Sequence, residues 1–307
     1  MNKRSWSGSS RHNRGFTLAE IAIVTLILGL MMAGVLGAVT NQINQGRVSA
    51  TQRQLDEIRE ALLGFAAQNG YLPCPDTTGD GVEDTNRANI VAPFVPNCPN
   101  VEGFLPWVTL GVHQTDAWGI RFRYRIKDEF ARAARSPTVY TTYPTPIAAC
   151  IPTANSPALL TDTDPFPTTD PNNCTFDIQD TGDIRIDTRG GVTGKTAVTL
   201  AGGSATSGIG VPVVIMSFGK NSAGGFDASG NQRLPLPLAG LNADEFVNFT
   251  IPAAGTQRVF YSRISKDSDS PCSDTAAAGP LCEFDDIVTW ISTPVLISKM
   301  IQANRLP

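Results

Sequence analysis

The sequence predicts an α+β protein: one long N-terminal α-helix, then a mostly antiparallel β head with long, disulfide-closed loops. Three observations carry this. Residues 16–69 contain no proline and keep helical spacing of apolar side chains. After Gly70 the composition turns to Pro, Gly, Thr, Asn and Asp, with short apolar runs between turn signals. All six cysteines, at 74, 98, 150, 174, 272 and 282, fall in this second part.

The helix divides in two. Residues 21–39 carry no charge, and at 1.5 Å per residue they span about 28 Å, close to the ~30 Å hydrocarbon core of a bilayer. Residues 40–69 lose that continuous hydrophobicity but place Val48, Leu55, Ile58, Leu62 and Phe65 on one stripe, with Gln52, Arg53, Asp56, Arg59 and Glu60 opposite. A single helix over residues 16–69 would be roughly 80 Å long. Gly29, Gly34, Gly37 and Gly46 weaken it, each by ~1 kcal/mol against alanine. Asn69-Gly70 supplies the stop.

In the head, strands are expected at 119–126, 183–187, 196–200, 211–217, 258–264 and 286–291. The run Val211–Met216 is nearly all apolar and reads as central, with Pro212 near its start. Arg121, Arg123 and Arg125 alternate with Ile120, Phe122, Tyr124 and Ile126, the pattern of a half-buried strand whose arginines form a solvated face. Thr293-Pro294 opens a short terminal helix through Ala303, with Val295, Leu296, Met300 and Ile301 on its core face. Residues 136–182, dense in proline and threonine, read as an excursion from the core.

The N-terminal junction carries the functional signal. Lys3, Arg4, Arg11 and Arg14 form a basic leader, and Gly15-Phe16-Thr17-Leu18-Ala19-Glu20 leads straight into the apolar run. A secretory signal peptide has a shorter apolar core and an A-x-A-like site after it, which is absent here. A plain signal anchor would keep the leader in the cytoplasm by the positive-inside rule, yet leaves Glu20 without a reason. This junction resembles the cleavage and methylation signature of type IV pilins and type II secretion pseudopilins. The resemblance covers about the first 70 residues and implies cleavage between Gly15 and Phe16 by a prepilin peptidase, with methylation of the new Phe16 amine. It also implies a partner for Glu20, the Phe16 amine of its own or a neighbouring chain. Two unit charges ~4 Å apart attract by about 4 kcal/mol at an effective dielectric of 20. Segments such as 72–76 and 284–290 are similar to large-headed pilin-like proteins.

Composition narrows the alternatives. The net charge is −4, and losing the four leader cations takes it to −8. With no concentrated basic patch beyond the leader, no specific nucleic-acid role is evident. An even cysteine number in an exported head points to disulfides in an oxidising compartment. Sequence proximity favours Cys74–Cys98, Cys150–Cys174 and Cys272–Cys282. Zinc is disfavoured: there is no close Cys pair, and the histidines are His12 and His113.

Chemistry-bearing motifs are few. Asp76, Asp80, Gly81 and Asp84 fit positions one, five, six and nine of an EF-hand-type calcium loop, but Thr78 and Arg87 occupy positions three and twelve. A full site would need Glu83, a backbone carbonyl or a distant residue, and pseudopilin heads resemble this in carrying calcium on an acidic loop. The competing reading is a solvated Asp-Gly turn. Gly190–Thr196 fails the phosphate-loop spacing because Arg189 stands where glycine is required. Ser217 near Lys220 reads as a glycine-rich turn rather than a nucleophile pair. Asp285 and Asp286 are adjacent before a strand, so they should point apart and make a poor catalytic acid pair. No enzyme is expected. The resemblance implies a structural subunit that partners prepilin peptidase, other pilin subunits, an inner-membrane assembly platform and lipid. It would be single-pass, with a periplasmic head, before joining a pilus or pseudopilus. A head of residues 70–307 is large for a repeating fibre subunit, favouring a minor one. The alternative is a membrane-anchored periplasmic binding or adhesion module that never polymerises.

Overall fold

The computed structural model describes residues 17–85, 98–131, 184–190, 194–203, 210–236, 242–253, 256–264, 272–274 and 280–304. Helix α1 runs Leu18–Asn69, as the unbroken periodicity requires. Gly70 ends it at φ 86°, with its N–H on the Ala66 carbonyl, a conformation that glycine adopts without penalty. The chain divides into two compact units, Met1–Gly46 and Arg47–Pro307. In the first, the described side chains from Leu18 to Met31 are exposed on all sides of the helix. Among the described residues no helix is long and apolar enough to cross a membrane. The side chains of 32–39, within the expected span 21–39, lie outside them.

The second unit is built on two sheets. Strands β1 (Glu102–Phe104), β2 (Arg123–Ile126), β5 (Val213–Ser217) and β7 (Ile287–Ile291) form an antiparallel sheet in the order β1-β2-β5-β7. Strands β3 (Ile184–Thr188), β4 (Val198–Ala201) and β6 (Arg258–Tyr261) form a second, in the order β4-β3-β6. The β3–β6 pairing is parallel, the one departure from the antiparallel expectation among the described ladders. All six anticipated strands form. Strand β1 and helices α2 (Trp107–Leu110) and α3 (Ala243–Phe249) were not anticipated.

Strand β5 is buried along its whole length, which is why its sequence is apolar without alternation. Val213 and Ile215 face one core with Leu55, Ile58, Leu62 and Ala66 of α1 and with Leu296 and Met300 of α4 (Thr293–Gln302). Val214 and Met216 face a second core with Ile184, Ile186 and Phe260 of the other sheet. The first sheet is therefore a middle layer between helices and a second sheet. The α1 stripe buries as its spacing predicted, and Tyr124 Oη donates to the Pro73 carbonyl at 3.0 Å, tying the chain after α1 to β2.

This layering overturns the solvated arginine face. On β2 the aromatic and aliphatic residues face α1, so the arginines face the second sheet and are covered. Glu102, paired across the ladder with Arg125, is their counter-ion. It meets Arg123 at 3.3 Å, Arg125 at 3.7 Å and Arg258 of β6 at 2.9 Å through both guanidinium nitrogens. Arg121 instead lies against the rings of Phe104 and Trp107, each 5.1 Å from its guanidinium carbon. Two disulfides form as proximity suggested, Cys74–Cys98 and Cys272–Cys282, while Cys150 and Cys174 lie outside the described residues.

Replacing Glu102 by Gln leaves three buried guanidinium groups without their shared anion. Urea denaturation should show a loss of about 3–5 kcal/mol, the cost of unpairing buried charge.

Candidate functional site

Two places gather polar groups in a way that packing alone does not explain. The first is the start of α1. Thr17 precedes the helix, and its Oγ1 accepts the Glu20 N–H at 3.2 Å, while the Glu20 carboxylate accepts the Thr17 N–H at 3.4 Å. This reciprocal pair is a capping box, with Glu20 at the third helical position. It satisfies helix-start amides that would otherwise be orphaned, and it places negative charge at the positive end of the helix dipole. Gly15 and Phe16 lie outside the described residues, so the expected pairing of Glu20 with a Phe16 amine is not on view.

The second place is a carboxylate chamber on α3. This helix has seven residues, and Asp244, Glu245 and Asn248 on it are all buried. Glu245 meets Asp285 and Asp286, whose segment enters β7, and one oxygen of each lies within 4.8 Å of the others. Among the described residues this is the one such group of three acids. Glu245 accepts the Asp285 N–H at 2.9 Å and a hydrogen bond from Asn242 Nδ2 at 3.1 Å. Asp285 Oδ2 accepts the Asn221 N–H at 2.6 Å, and Asp286 Oδ2 accepts from Asn248 Nδ2 at 2.9 Å. Asp285 Oδ1 is buried without a hydrogen-bond partner. The wall at Gly219 admits no side chain: φ is 61°, and a Cβ there would collide with the Asp285 carbonyl.

Three acids in so little space cannot all ionise unaided. Burial, then the Glu245 charge, pushes the Asp285 carboxyl up to about 8. Burial, then Glu245 and Asp285, holds Asp286 well above the ordinary carboxylate range, although Asn248 and Arg123 act in the opposite direction. Such a chamber either retains protons or takes a cation. Hard divalent cations such as calcium prefer several oxygen ligands, and the unpartnered Asp285 oxygen beside two further carboxylates fits that donor set. Glu245, Asp285 and Asp286 would hold the ion, and Asp285 and Asp286 would lose their protons to it.

The acidic loop read from the sequence is built differently. Asp76 Oδ1 accepts the N–H groups of Thr78 at 3.0 Å and Gly79 at 2.6 Å, and Oδ2 accepts that of Gly81 at 2.8 Å. Asp84 accepts from Thr77 and Thr78, Asp80 from the Val82 N–H, and Glu83 from the Cys74 N–H. Each carboxylate closes its own stretch of backbone, and the four do not come together as a ligand group. Asp285 and Asp286, expected to point apart, instead converge on Glu245. The signal missed in the sequence was Asp244-Glu245-x-x-Asn248, a polar face at helical spacing in a segment without an apolar stripe.

Comparison with known proteins adds two findings. Residues 10–36 match the model of the prokaryotic N-terminal methylation motif. The chain is also 29% identical over 114 residues to the type II secretion system core protein G of Pseudomonas aeruginosa, covering 37% of this chain and 74% of that protein. No solved structure matches.

The pH dependence of the chamber has a definite sign. Because the folded pKa of Asp285 exceeds its unfolded value, the stability it contributes is complete below about 3.8 and is lost as pH rises through about 8. In a calcium chelator the head should therefore melt at lower temperature near pH 8.5 than near pH 5. Added calcium should raise the melting temperature more at the higher pH, where it competes with fewer protons.

Proposed function

We propose that this chain, a type IV pilin- or pseudopilin-type protein by its methylation motif and its secretion-system relative, is a structural subunit that inserts in the bacterial inner membrane and assembles through residues 16–69. The observation that carries the reading is the junction itself: a Gly15-Phe16 pair, a Thr17–Glu20 capping box and an apolar helix in immediate succession. The described side chains from Leu18 to Met31 support it, because an all-round apolar helix surface requires a cover of lipid or of neighbouring helices.

In this reading residues 1–15 are a leader removed by prepilin peptidase, Phe16 becomes the methylated N-terminus, and residues 70–307 form a periplasmic head. Disulfides staple the head, and its buried ion pairs serve cohesion. The head's size supports a minor or accessory subunit. The chamber on α3 would give that head a cation-dependent stiffness suited to an exported protein.

Glu20 has two partners in this scheme. In the isolated chain its carboxylate caps its own helix. In the assembled bundle it meets the Phe16 amine of a neighbour and sets the axial register. Intact-mass analysis of protein from cells containing the peptidase should show a chain beginning at methylated Phe16. A Glu20→Ala protein should be processed but should fall at least roughly tenfold in sheared fibres or crosslinked assemblies, as loss of an interaction near 2 kcal/mol or more would produce. Retention of residues 1–15, or equal recovery of the alanine protein, would favour a resident anchored module.

A further inference from the structure

We infer that the Cys272–Cys282 disulfide and the buried Asp274 it carries position Glu245, so that the redox state of this one bond sets the cation affinity of the α3 chamber. The inference rests on reading that chamber as a cation site.

The first step is the start of α3. Asn242 occupies its N-cap position but makes no side-chain cap hydrogen bond. The carboxylate of Asp274 substitutes for it from a distant segment, accepting the Asp244 N–H at 3.3 Å. Asp244 is fully buried and Asp274 is 1% exposed, so water does not compete for this contact. Glu245, the chamber ligand on α3, is the next residue along the chain. Whatever fixes the first turn of α3 therefore fixes the backbone from which Glu245 projects.

The second step is what holds Asp274. It lies two residues after Cys272, and its Oδ1 accepts the N–H of Cys282 at 3.0 Å, so both ends of the disulfide bear on it. Arg263 clamps the same assembly. Its Nη1 is 3.1 Å from Asp274 Oδ1, its Nε is 3.4 Å from Asp244 Oδ2, and its Nη2 donates to the Cys282 carbonyl at 2.9 Å. Arg189 completes the group, with Nε 2.9 Å from Asp244 Oδ1 and Nη1 donating to the Asp274 carbonyl at 3.2 Å.

The third step is chain direction. Cys282 stands three residues before Asp285, and Asp286 follows. The disulfide thus reaches the chamber along two routes: directly through 282–286 to Asp285 and Asp286, and through Asp274 and α3 to Glu245. The two routes meet where Glu245 accepts the Asp285 N–H. Reduction by a dithiol, which takes up the two electrons' worth of oxidation as its own disulfide and leaves two thiols at 272 and 282, frees one end of the Asp274 segment while leaving the Glu283–Asp286 backbone joined to β7. Cys272 is partly exposed and accessible to such a reagent, whereas Cys282 is buried.

The experiment uses the full-length protein in detergent and calcium alone as the probe. Three variants are compared with the wild type: Cys272→Ser with Cys282→Ser, Asp274→Asn with the disulfide intact, and Cys74→Ser with Cys98→Ser as a control for the other staple. Calorimetric titration should show calcium binding weakened about 10-fold to 100-fold in the first two, as for partners that orient metal ligands, and unchanged in the control. Hydrogen exchange in chelator, with no calcium present, should show faster exchange of the α3 amides in the same two variants only. Unchanged exchange at α3 in the folded Cys272/Cys282 variant overturns the inference. An effect of the cysteine variant that Asp274→Asn does not share also overturns it, by removing the carboxylate from the route. Should wild-type protein bind no calcium while α3 exchange still responds, the cation reading fails alone, and with it the affinity claim, leaving the positioning of α3 measured separately.

Discussion

The head is organised around one buried ion pair, Glu102 with Arg258. Glu102 belongs to the first residue of β1 and Arg258 to the first residue of β6, so the pair spans the two sheets. The contact is bidentate, with both nitrogens at 2.9 Å, and both side chains are essentially excluded from water. The same guanidinium donates to the Val247 and Asn248 carbonyls at the end of α3 and lies 4.0 Å from the Phe260 ring centroid. Positive charge at a helix C-terminus is favoured by the dipole, and here it also satisfies carbonyls that have no partner within the helix. Remove this pair and the second sheet, α3 and the arginine face of β2 lose their common reference at once.

That dependence explains an interior unusually rich in charge. An isolated ion in such a place costs several kcal/mol of desolvation, and its partner recovers this only when the geometry is fixed and the remaining donors are satisfied. Arg123 shows the balance. Burial lowers its pKa, the Glu102 charge opposes the shift, and its Nη1 caps α3 through the Asn248 and Phe249 carbonyls. Asp244 is the counterpart on the other end of the helix. Burial and then Asp274 raise it to about 6, while Arg263 and Arg189 pull it down. Helix α3 is thus suspended between a basic group at its end and a mixed acid–base group at its beginning. The chamber acids lie between these supports, which fixes where Glu245 stands.

What could be read in advance followed local rules. The alternation at 120–126, the unbroken apolar run at 213–216 and the stripe at 55, 58 and 62 each depend on a period and on one covering face, and each element formed where that period placed it. Thr293-Pro294 opened α4 because proline tolerates the first helical turn. The errors have a common origin in contacts between residues distant in sequence. Arg121, Arg123 and Arg125 were assigned to solvent because nothing nearby could show that the second sheet, some 60 residues on, covers Arg123 and Arg125, or that the rings of Phe104 and Trp107 cover Arg121. Helix α3 was not anticipated because its buried side is polar, satisfied by Arg189, Arg263 and the residues around Asp285. At Asp76 both a cation ligand and a plain turn were open in the sequence, because the spacing that suits a cation also suits a carboxylate that caps its own turn. Sequence spacing specifies which atoms can converge, but not whether the partner is an ion or a backbone amide.

The same ambiguity is useful at Glu20. A carboxylate in an apolar helix needs a partner before assembly as well as after it, or insertion itself would be opposed. The capping box supplies the first partner within the chain, through contacts of 3.2–3.5 Å with Thr17. A cap of this kind is worth about 0.5–2 kcal/mol, whereas an amine ~4 Å away offers about 4 kcal/mol at an effective dielectric of 20. In the proposed assembly the exchange from cap to neighbouring amine therefore runs downhill, and only where a processed chain presents that amine at the right height. In the proposed assembly this difference would favour a correctly aligned subunit over a free one by a few kcal/mol.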